Sequence, residues 1–192
     1  MPYPAQIDLE TLIETARRMI EEHGFDKLSL RMIAQELGVK APSLYRHVEN
    51  KAALLAAVNQ VTRTELFAVM HRAMEADIPL EERLLAIANA YRAYAHANPA
   101  TYELAFSTSI PELQTGETEA QNLEAVLRIQ ALFVEWIGSE AESLAALRGA
   151  LALMHGWVRL EMAEQLRRGG DLNAQYEVAF RRYLRGWQAS ER

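Results

Sequence analysis

The segment between residues 29 and 51, with the sequence SLRMIAQELGVKAPSLYRHVENK, restricts the fold more than any other part of the chain. Ser29 is a favourable N-cap residue, because its side-chain oxygen can accept a hydrogen bond from a free N–H group of the first helical turn. The apolar residues that follow on one helical face are Ile33, Ala34 and Leu37. Gly38 comes next, where a left-handed residue can end a helix without a steric penalty. The pattern predicts a short helix that ends at a sharp corner.

A second short helix is predicted directly after this corner. Pro42 falls in its first turn, where the missing N–H group leaves no hydrogen bond unmade. Val39 and Leu44 point back towards the same small core, and Asn50 caps a further helix that begins at Lys51. A small residue at the helix crossing and a flexible residue at the corner are typical of a helix-turn-helix, whose second helix can enter a DNA major groove. Helical hairpins of other bundles can show the same pattern and are the alternative.

The distribution of charge bears on this choice. The chain of 192 residues has a net charge of −6, which by itself argues against a nucleic-acid partner. Residues 27–51, however, contain five cations and two anions, a local balance of +3. Because salt screens charges beyond about 8 Å, this local excess controls the field close to the segment.

Composition also restricts the chemistry and the location of the protein. Half of the residues are apolar, which is ample for a packed core. Cysteine is absent, so disulfides and thiolate metal sites are excluded. The first ten residues lack the basic and apolar regions of a signal peptide, and no apolar run approaches the roughly 18 residues of a membrane span. We therefore expect a cytoplasmic protein with no membrane partner.

Helical periodicity continues on both sides of residues 29–51. A helix from about Asp8 to His23 precedes it, and a long helix after Asn50 meets no breaker before Asp77 and Pro79. The later helices are predicted at about residues 80–97, 99–106, 119–137, 140–168 and 172–188, with a loop over residues 107–117.

No segment shows the alternating pattern of a β-strand. The sequence therefore predicts an all-α fold of about nine helices. A three-helix helix-turn-helix domain, residues 1–60, is joined by the long helix to a C-terminal helical domain, residues 61–192.

The helix between Leu144 and Leu166 is apolar on nearly all sides, which predicts burial on nearly all sides. About 130 residues follow the N-terminal domain, too few for one subunit to cover this helix completely. A homodimer formed through the last two helices, as a four-helix bundle with two helices from each subunit, would bury it. Gly149, Ala152 and Gly156 would permit close approach there. The alternative is that these small residues serve close packing within one subunit.

The segment of residues 29–51 also resembles the sequence motifs of a known family. The run LYRHVENK, residues 44–51, resembles the L-Y-x-H-F-x-x-K signature of the TetR family of bacterial transcriptional regulators. The preceding IAQELGV, residues 33–39, matches the family's I-A-x-x-x-G-V pattern. The resemblance covers about residues 13–55, with Val48 where many members have Phe and with the less typical Pro42.

The resemblance implies a DNA-binding regulator in which Tyr45 and Lys51 contact the DNA backbone. A lysine at a helix N-terminus lies beside free N–H groups that bind phosphate. Arg46 suits bidentate readout of guanine, with a phosphate contact as the alternative, and His47 either touches phosphate or braces the helix. The predicted DNA-contacting residues are Arg31, Lys40, Ala41, Pro42, Ser43, Tyr45, Arg46, His47 and Lys51. One such unit buries too little surface for tight binding, so two units related by a dyad would read a near-palindromic operator.

In the C-terminal part, NPATY at residues 98–102 and MHGW at residues 154–157 are similar to a subgroup of effector domains with a W/x-H-G motif. This similarity implies a dimeric, ligand-responsive core and no particular small-molecule effector. The predicted effector-binding residues are Tyr94, Tyr102, Phe106, Phe133, His155 and Arg159, with ordinary core packing as the alternative for each. We expect a repressor that such a ligand releases from its operator, with an activator as the alternative.

An all-α enzyme is the rival class. A di-iron bundle needs Glu-x-x-His pairs, but none of the five histidines has a glutamate three positions before it. No nucleophile elbow, P-loop or dinucleotide fingerprint occurs in the sequence. A pure interaction scaffold would leave the cations around Tyr45 without a purpose. The sequence therefore predicts a regulator that is not an enzyme and that has no cofactor or metal.

Overall fold

The computed structural model describes residues 7–107 and 116–188. Every regular element in these ranges is a helix, which confirms the predicted all-α fold. The elements are α1 (Leu9–His23), α2 (Leu30–Glu36), a 3₁₀-helix (Ala41–Arg46), α3 (Lys51–Met74), α4 (Leu80–Ala97), α5 (Pro99–Ala105), α6 (Gly116–Ile137), α7 (Glu140–Met162) and α8 (Leu172–Gln188). The predicted loop over residues 107–117 lies largely outside the described residues.

Side-chain caps fix the beginnings of the N-terminal helices. Ser29 Oγ accepts a hydrogen bond from the Met32 backbone N–H at 3.2 Å, and Asn50 Oδ1 accepts one from Ala53 at 2.9 Å. Both caps confirm the prediction. Asp8 caps α1 in the same way, since its Oδ1 lies 2.7 Å from the Thr11 nitrogen. Each cap satisfies an N–H group that has no partner within its own helix.

The corner after α2 also forms as predicted. Gly38 has a φ of 67°, in the left-handed region. Its N–H group donates to the Gln35 carbonyl at 3.1 Å, and the Val39 N–H group donates to the Ala34 carbonyl at 2.9 Å. These two bonds define a Schellman motif, which ends the helix and turns the chain.

Two elements differ from the prediction. The short helix after the corner is a 3₁₀-helix, with i→i+3 bonds from Ser43 to Lys40 and from His47 to Leu44. A 3₁₀-helix rises about 2.0 Å per residue, compared with about 1.5 Å in an α-helix, so this second helix is more extended than predicted.

The second difference is that α7 ends at Met162 and not at Arg168. A Schellman motif ends it, with Glu164 in the left-handed conformation at φ 52°. Glu164 N–H donates to Glu161 O, and Gln165 N–H donates to Leu160 O, both at 2.8 Å. The sequence pattern placed this end at the glycine pair 169–170, because glycine is the usual residue for the position.

The described residues form two compact units. The first comprises those up to Thr64 and those within Asn98–Glu119, and the second comprises Glu65–Ala97 and those from Ala120 onward. Helix α3 therefore contributes residues to both units. The predicted domain boundary followed residue 60 and gave no part of residues 98–119 to the N-terminal domain.

The apolar core of the first unit is built from α1, α2, the 3₁₀-helix and the start of α3. Its buried members include Leu12, Ile20, Ile33, Leu44 and Leu54, and Leu104 from α5 belongs to the same cluster. In the second unit, α4 packs against α7 and α8. The largest side chains buried there are those of Tyr91, Tyr176, Phe180, Leu84 and Leu184.

Helix α7 is buried along one side only within its own chain. Ala146, Ala150 and Met154 face the core, whereas Leu144 and Leu151 are exposed. The apolar residues on the outer side therefore have no covering from the described part of the same subunit. Among the described helices, none combines the length and apolarity that crossing a lipid bilayer requires.

Candidate nucleic-acid interface

The corner between α2 and the 3₁₀-helix is held by a few apolar side chains. Ile33, Ala34, Leu44 and Val48 are all buried in the core of the first unit. Their burial leaves the intervening polar residues on the outer side of the 3₁₀-helix. The short helix is thus fixed from beneath and presents its other face to solvent, which is the geometry that groove binding requires.

The predicted DNA-contacting residues fall into two groups by exposure. The exposed group consists of Arg31, Lys40, Pro42, Tyr45 and Arg46. The half-buried group consists of Ala41, Ser43, His47 and Lys51. All nine belong to the first unit and lie on α2, the corner, the 3₁₀-helix, its C-cap or the first residue of α3.

Tyr45 is the clearest surface feature of the 3₁₀-helix. Its side chain is 56% exposed, whereas that of the preceding Leu44 is fully buried. More than half of the Tyr45 side chain is therefore available for contact with a partner. Its hydroxyl can donate a hydrogen bond to a phosphate oxygen.

Lys51 makes a contact that the sequence pattern did not predict. Its Nζ donates a hydrogen bond to the Asp26 backbone carbonyl at 3.0 Å. The bond ties the segment between α1 and α2 to the beginning of α3. Lys51 therefore makes a hydrogen bond within the protein and also lies at the position predicted for a phosphate contact. Because an ammonium group has three N–H donors, the bond to Asp26 leaves two donors for a phosphate oxygen.

His47 lies near Asp8, the residue that caps α1. The N–H and hydroxyl groups of Thr11 hold the pKa of the Asp8 carboxyl below its usual range, and the His47 ring adds a smaller effect in the same direction. His47 is half-buried beside the N-terminus of α1. This placement is consistent with the bracing alternative and leaves a phosphate contact open.

An ion pair that joins α1 to the end of α2 was also missed. Arg18 bonds Glu36 at 2.5 Å and Glu22 at 3.0 Å, and these two carboxylates raise the pKa of the guanidinium. The partners lie 18 and 4 residues away along the chain. Only the second spacing is a recognisable helical pair, so no sequence pattern pointed to the first.

The predicted effector-binding residues do not all belong to one unit. Tyr102 and Phe106 lie in the first unit, where their ring centroids are 4.8 Å apart. Tyr94, Phe133, His155 and Arg159 lie in the second unit. The side chains of Tyr94, Tyr102 and Phe133 are buried.

Several of these side chains have hydrogen-bond partners. The Tyr94 hydroxyl donates to Glu65 Oε2 at 2.9 Å, and the Tyr91 hydroxyl lies 3.2 Å from His155 Nδ1. Burial lowers the pKa of His155 below its usual value of 6.5, and the nearby Arg159 charge lowers it further. A neutral imidazole is therefore favoured at this position.

The second unit contains a polar cleft at a different place. It has a volume of about 530 Å³ and lies along one side of α4 and α8. Its lining residues are Asn89, Arg92, Ala93, His96, Asn173 and Glu177, and the six predicted effector residues are not among them. A ligand held there would meet amide, guanidinium, imidazole and carboxylate groups.

A buried carboxylate on α7 holds the cleft side of α4 in place. Glu161, with a side chain only 5% exposed, accepts two hydrogen bonds from Arg92 at 2.6 and 2.7 Å and one from His96 at 2.9 Å. Arg92 also donates to Asn173 at 2.8 Å and lies over the Tyr176 ring. Burial by itself would raise the pKa of Glu161, but the hydrogen bonds from Arg92 and His96 outweigh it and hold the pKa below 4.5.

Comparisons with known proteins agree with this geometry. Residues 12–58 match the model of bacterial regulatory proteins of the tetR family, and residues 84–183 match the tetracyclin repressor-like C-terminal domain. An uncharacterised HTH-type transcriptional regulator of Mycobacterium tuberculosis is 31% identical over 159 residues, which cover 83% of this chain and 72% of the relative.

Two further similarities differ in what they cover. The class D tetracycline repressor of Escherichia coli is 44% identical over 54 residues, which are 28% of this chain and 25% of that protein. A structure of a protein of unknown function from Rhodococcus sp. RHA1 superposes with a TM-score of 0.81 at 23% identity, covering 97% of this chain and 98% of that one. The second similarity shows the fold alone.

The exposed 3₁₀-helix and the buried apolar residues that hold it define a helix-turn-helix DNA-binding protein. Because one family model matches more than half of the chain and another matches the helix-turn-helix, the protein belongs to the TetR family of bacterial transcriptional regulators. The family assignment made from the LYRHVENK run is thereby confirmed.

Proposed function

We propose that this protein is a repressor that binds a near-palindromic operator as a homodimer and is released by a small-molecule ligand. The observation that carries the proposal is the 3₁₀-helix, on which Leu44 is buried while Tyr45 and Arg46 are exposed. The family description "tetracyclin repressor-like" supports repression. An activator would use the same DNA contacts with the opposite effect on transcription.

The DNA contacts are proposed for the nine residues predicted from the sequence. Tyr45, Arg46 and Lys40 are the exposed members on or next to the 3₁₀-helix whose side chains carry hydrogen-bond donors, and they would reach phosphates or base edges first. Arg31, Pro42, Ala41, Ser43, His47 and Lys51 surround them. The local cation excess of residues 27–51 would attract the duplex despite the acidic net charge.

Salt-dependent binding tests this proposal. The probe is the duplex just upstream of the protein's own coding region, compared with a scrambled duplex of equal length by fluorescence anisotropy. Arg46→Ala should weaken binding and, if the contact is to phosphate, flatten the log–log salt slope by about one unit. Arg128→Ala, which removes an exposed arginine on α6, is the matched control and should bind as the wild type does.

Equal affinity for both duplexes at physiological salt would count against a specific operator at this position. Unchanged affinity and slope in both Arg46→Ala and Tyr45→Phe would count against the assigned face of the 3₁₀-helix.

The homodimer is proposed to form through α7 and α8. Leu144, Leu151 and Leu160 on α7 and Val178 on α8 are all exposed within one subunit. Burying them against a partner would remove this apolar surface from water, at about 25 cal/mol per Å². Pairing would also place two helix-turn-helix units on one DNA duplex.

A single charged substitution tests the interface. Leu151→Glu should shift the protein to monomers in sedimentation and lower its affinity for a palindromic duplex. Leu123→Glu introduces the same change at an exposed leucine on α6 and should leave the dimer intact. Dimers that persist in the Leu151→Glu protein would place the interface elsewhere.

We propose that a small-molecule effector binds in the C-terminal helical domain. Tyr94, Tyr102, Phe106, Phe133, His155 and Arg159 remain the residues proposed from the sequence. A thermal-shift screen of small compounds tests binding, since a ligand at 100 times its dissociation constant adds about 2.7 kcal/mol of stability. A compound that raises the melting temperature without releasing the operator is not the effector.

A further inference from the structure

A partly buried polar contact in the first unit joins α5 to α1. The Glu21 carboxylate accepts hydrogen bonds from the Ala100 N–H at 2.9 Å, the Thr101 N–H at 2.9 Å and the Thr101 hydroxyl at 2.6 Å. We call these three bonds the Glu21 contact. Thr101 is 1% exposed, so the donors have little access to water in place of the carboxylate.

The charge of Glu21 suits the position. The N–H groups of Ala100 and Thr101 lie in the first turn of α5, where they have no partner within the helix. Asn98 precedes this helix and makes no side-chain cap. A carboxylate from another helix therefore replaces the local cap, and bonds of N–H groups to a carboxylate are stronger than those to neutral acceptors.

A second, apolar anchor holds the other end of α5. Leu104 is fully buried in the core cluster that also contains Leu12, Ala16 and Ile20 of α1. With the Glu21 contact at one end and Leu104 at the other, α5 is attached to α1 at two points. Two attachments fix the direction of a short helix as well as its position.

The Glu21 contact lies at the wall of a small open cleft. The cleft has a volume of about 220 Å³, and its lining includes Arg17, Glu21, Asn98 and Thr101. Water that enters it can compete for the carboxylate when the contact opens. The carboxylate side of the contact therefore borders a cleft, whereas Leu104 is fully buried.

The chain position of α5 gives the contact its significance. Helix α4 ends at Ala97 in the second unit, and α5 begins at Pro99 in the first, with Asn98 alone between them. Near its C-terminal end, α4 is fixed to α7 by the bonds of Arg92 and His96 to Glu161. A displacement of the end of α4 must therefore be taken up at Asn98 or passed to α5.

We propose that Glu21 is a positioning residue for DNA binding: by holding α5 on α1, it couples the end of α4 to the helix that braces the helix-turn-helix. Operator binding and formation of the Glu21 contact then favour each other. The coupling is reciprocal, so DNA stabilises the contact as much as the contact stabilises the DNA complex. The inference rests on the proposed function for its DNA readout.

The test compares Glu21→Gln with Glu22→Gln. Glu21→Gln keeps the side-chain shape but sets an amide NH₂ group against one of the donors on α5. Glu22→Gln makes the same chemical change one residue away, at an exposed ion pair with Arg18. Amide hydrogen exchange of residues 100–106 and operator affinity are measured for both variants and the wild type.

We expect exchange of the α5 amides to rise about tenfold in Glu21→Gln, the factor for loss of one hydrogen bond to a charged group. Operator affinity should fall about fivefold or more, at a temperature where the variant is fully folded. In the wild type, operator DNA should slow exchange in α5 as well as in the helix-turn-helix. Glu22→Gln should match the wild type in exchange and in affinity.

A second pair of variants tests the same contact from the α5 side, in case Glu21→Gln does not fold. Thr101→Val removes the hydroxyl donor at nearly constant size and should change exchange and affinity in the same direction. Thr101→Ser retains the hydroxyl and should restore both towards wild-type values. A merely structural hydroxyl would change exchange and melting temperature without moving operator affinity.

The proposal is overturned if faster α5 exchange leaves operator affinity within twofold of the wild type. It is overturned equally if Glu21→Gln and Thr101→Val both leave α5 exchange unchanged. Failure of the wild type to bind the upstream duplex is a separate result, which counts against the proposed operator and not against the Glu21 contact.

Discussion

The helix ends of the first unit and the helix packing of the second unit depend on polar contacts of very different sequence range. The caps of α1, α2 and α3 join residues three positions apart. In the second unit, Arg92 bonds Glu161 69 residues away, and Arg185 bonds Glu81 104 residues away. Contacts of the first kind can be recognised as short motifs, whereas contacts of the second kind exist only once the helices have packed.

The ends of two helices also differ in how well the sequence predicts them, although both ends have the same structure. Helices α2 and α7 both finish in a Schellman motif with a left-handed residue. In α2 the residue is Gly38, which the sequence identifies at once. In α7 it is Glu164, a residue type that rarely adopts this conformation, so the end of α7 was misplaced.

The largest expected effect comes from the remote carboxylate of the second unit. Glu161→Gln should lower the free energy of unfolding by about 3 kcal/mol, because Arg92, only 16% exposed, loses its charged partner. Urea unfolding at neutral pH measures the change. The control is Glu135→Gln at the exposed pair with Arg83, which should change stability by less than about 0.5 kcal/mol.

The same variant should flatten the acid side of the stability profile. Since the folded pKa of Glu161 lies below its unfolded value of 4.5, its stabilisation is complete above pH 4.5 and is lost as pH falls through the folded pKa. Unfolding measured between pH 5 and the acid limit should thus decline less steeply in Glu161→Gln. Equal slopes in variant and wild type would remove Glu161 from the acid-sensitive contacts.

Substitutions at the left-handed residues of the two Schellman motifs should change the free energy of unfolding in opposite directions. Gly38→Ala should cost about 1.5 kcal/mol, since alanine is strained at a φ of 67°. Glu164→Gly should stabilise the protein by about 1 kcal/mol through relief of the same strain at φ 52°. Thermal unfolding of both variants makes the comparison, and a destabilised Glu164→Gly protein would contradict it.

Removing the local caps should have a smaller effect. Ser29→Ala and Asn50→Ala should each destabilise the protein by about 1 kcal/mol, because each leaves a helix N–H group without its capping oxygen. The two caps serve different helices, so the losses should add in the double variant. A double variant as stable as the wild type would show that tertiary packing alone holds α2 and α3.

The smallest expected effect is a pH dependence from His155. Burial and the Arg159 charge depress its folded pKa below 6.5, so the unfolded state binds the extra proton first. Stability should therefore be complete above pH 6.5 and should fall as pH drops from 6.5 towards the folded pKa. His155→Gln should remove this shallow slope while retaining a polar side chain opposite Tyr91.

The sequence by itself determined the helical architecture, the caps at Ser29 and Asn50, the corner at Gly38 and the family. These features depend on backbone conformation and on bonds between residues a few positions apart, which residue type and spacing specify. The alternation of a buried Leu44 and an exposed Tyr45 followed from the same short segment.

Tertiary structure alone decided which distant polar groups meet. Packing of α4 against α7 brought Arg92 and His96 to Glu161, and packing of α5 on α1 brought Thr101 to Glu21. It also divided the predicted effector residues between two units and formed a polar cleft away from them. Helical periodicity specifies which face of a helix is buried but not which helix covers it, so these contacts could not be read from the sequence.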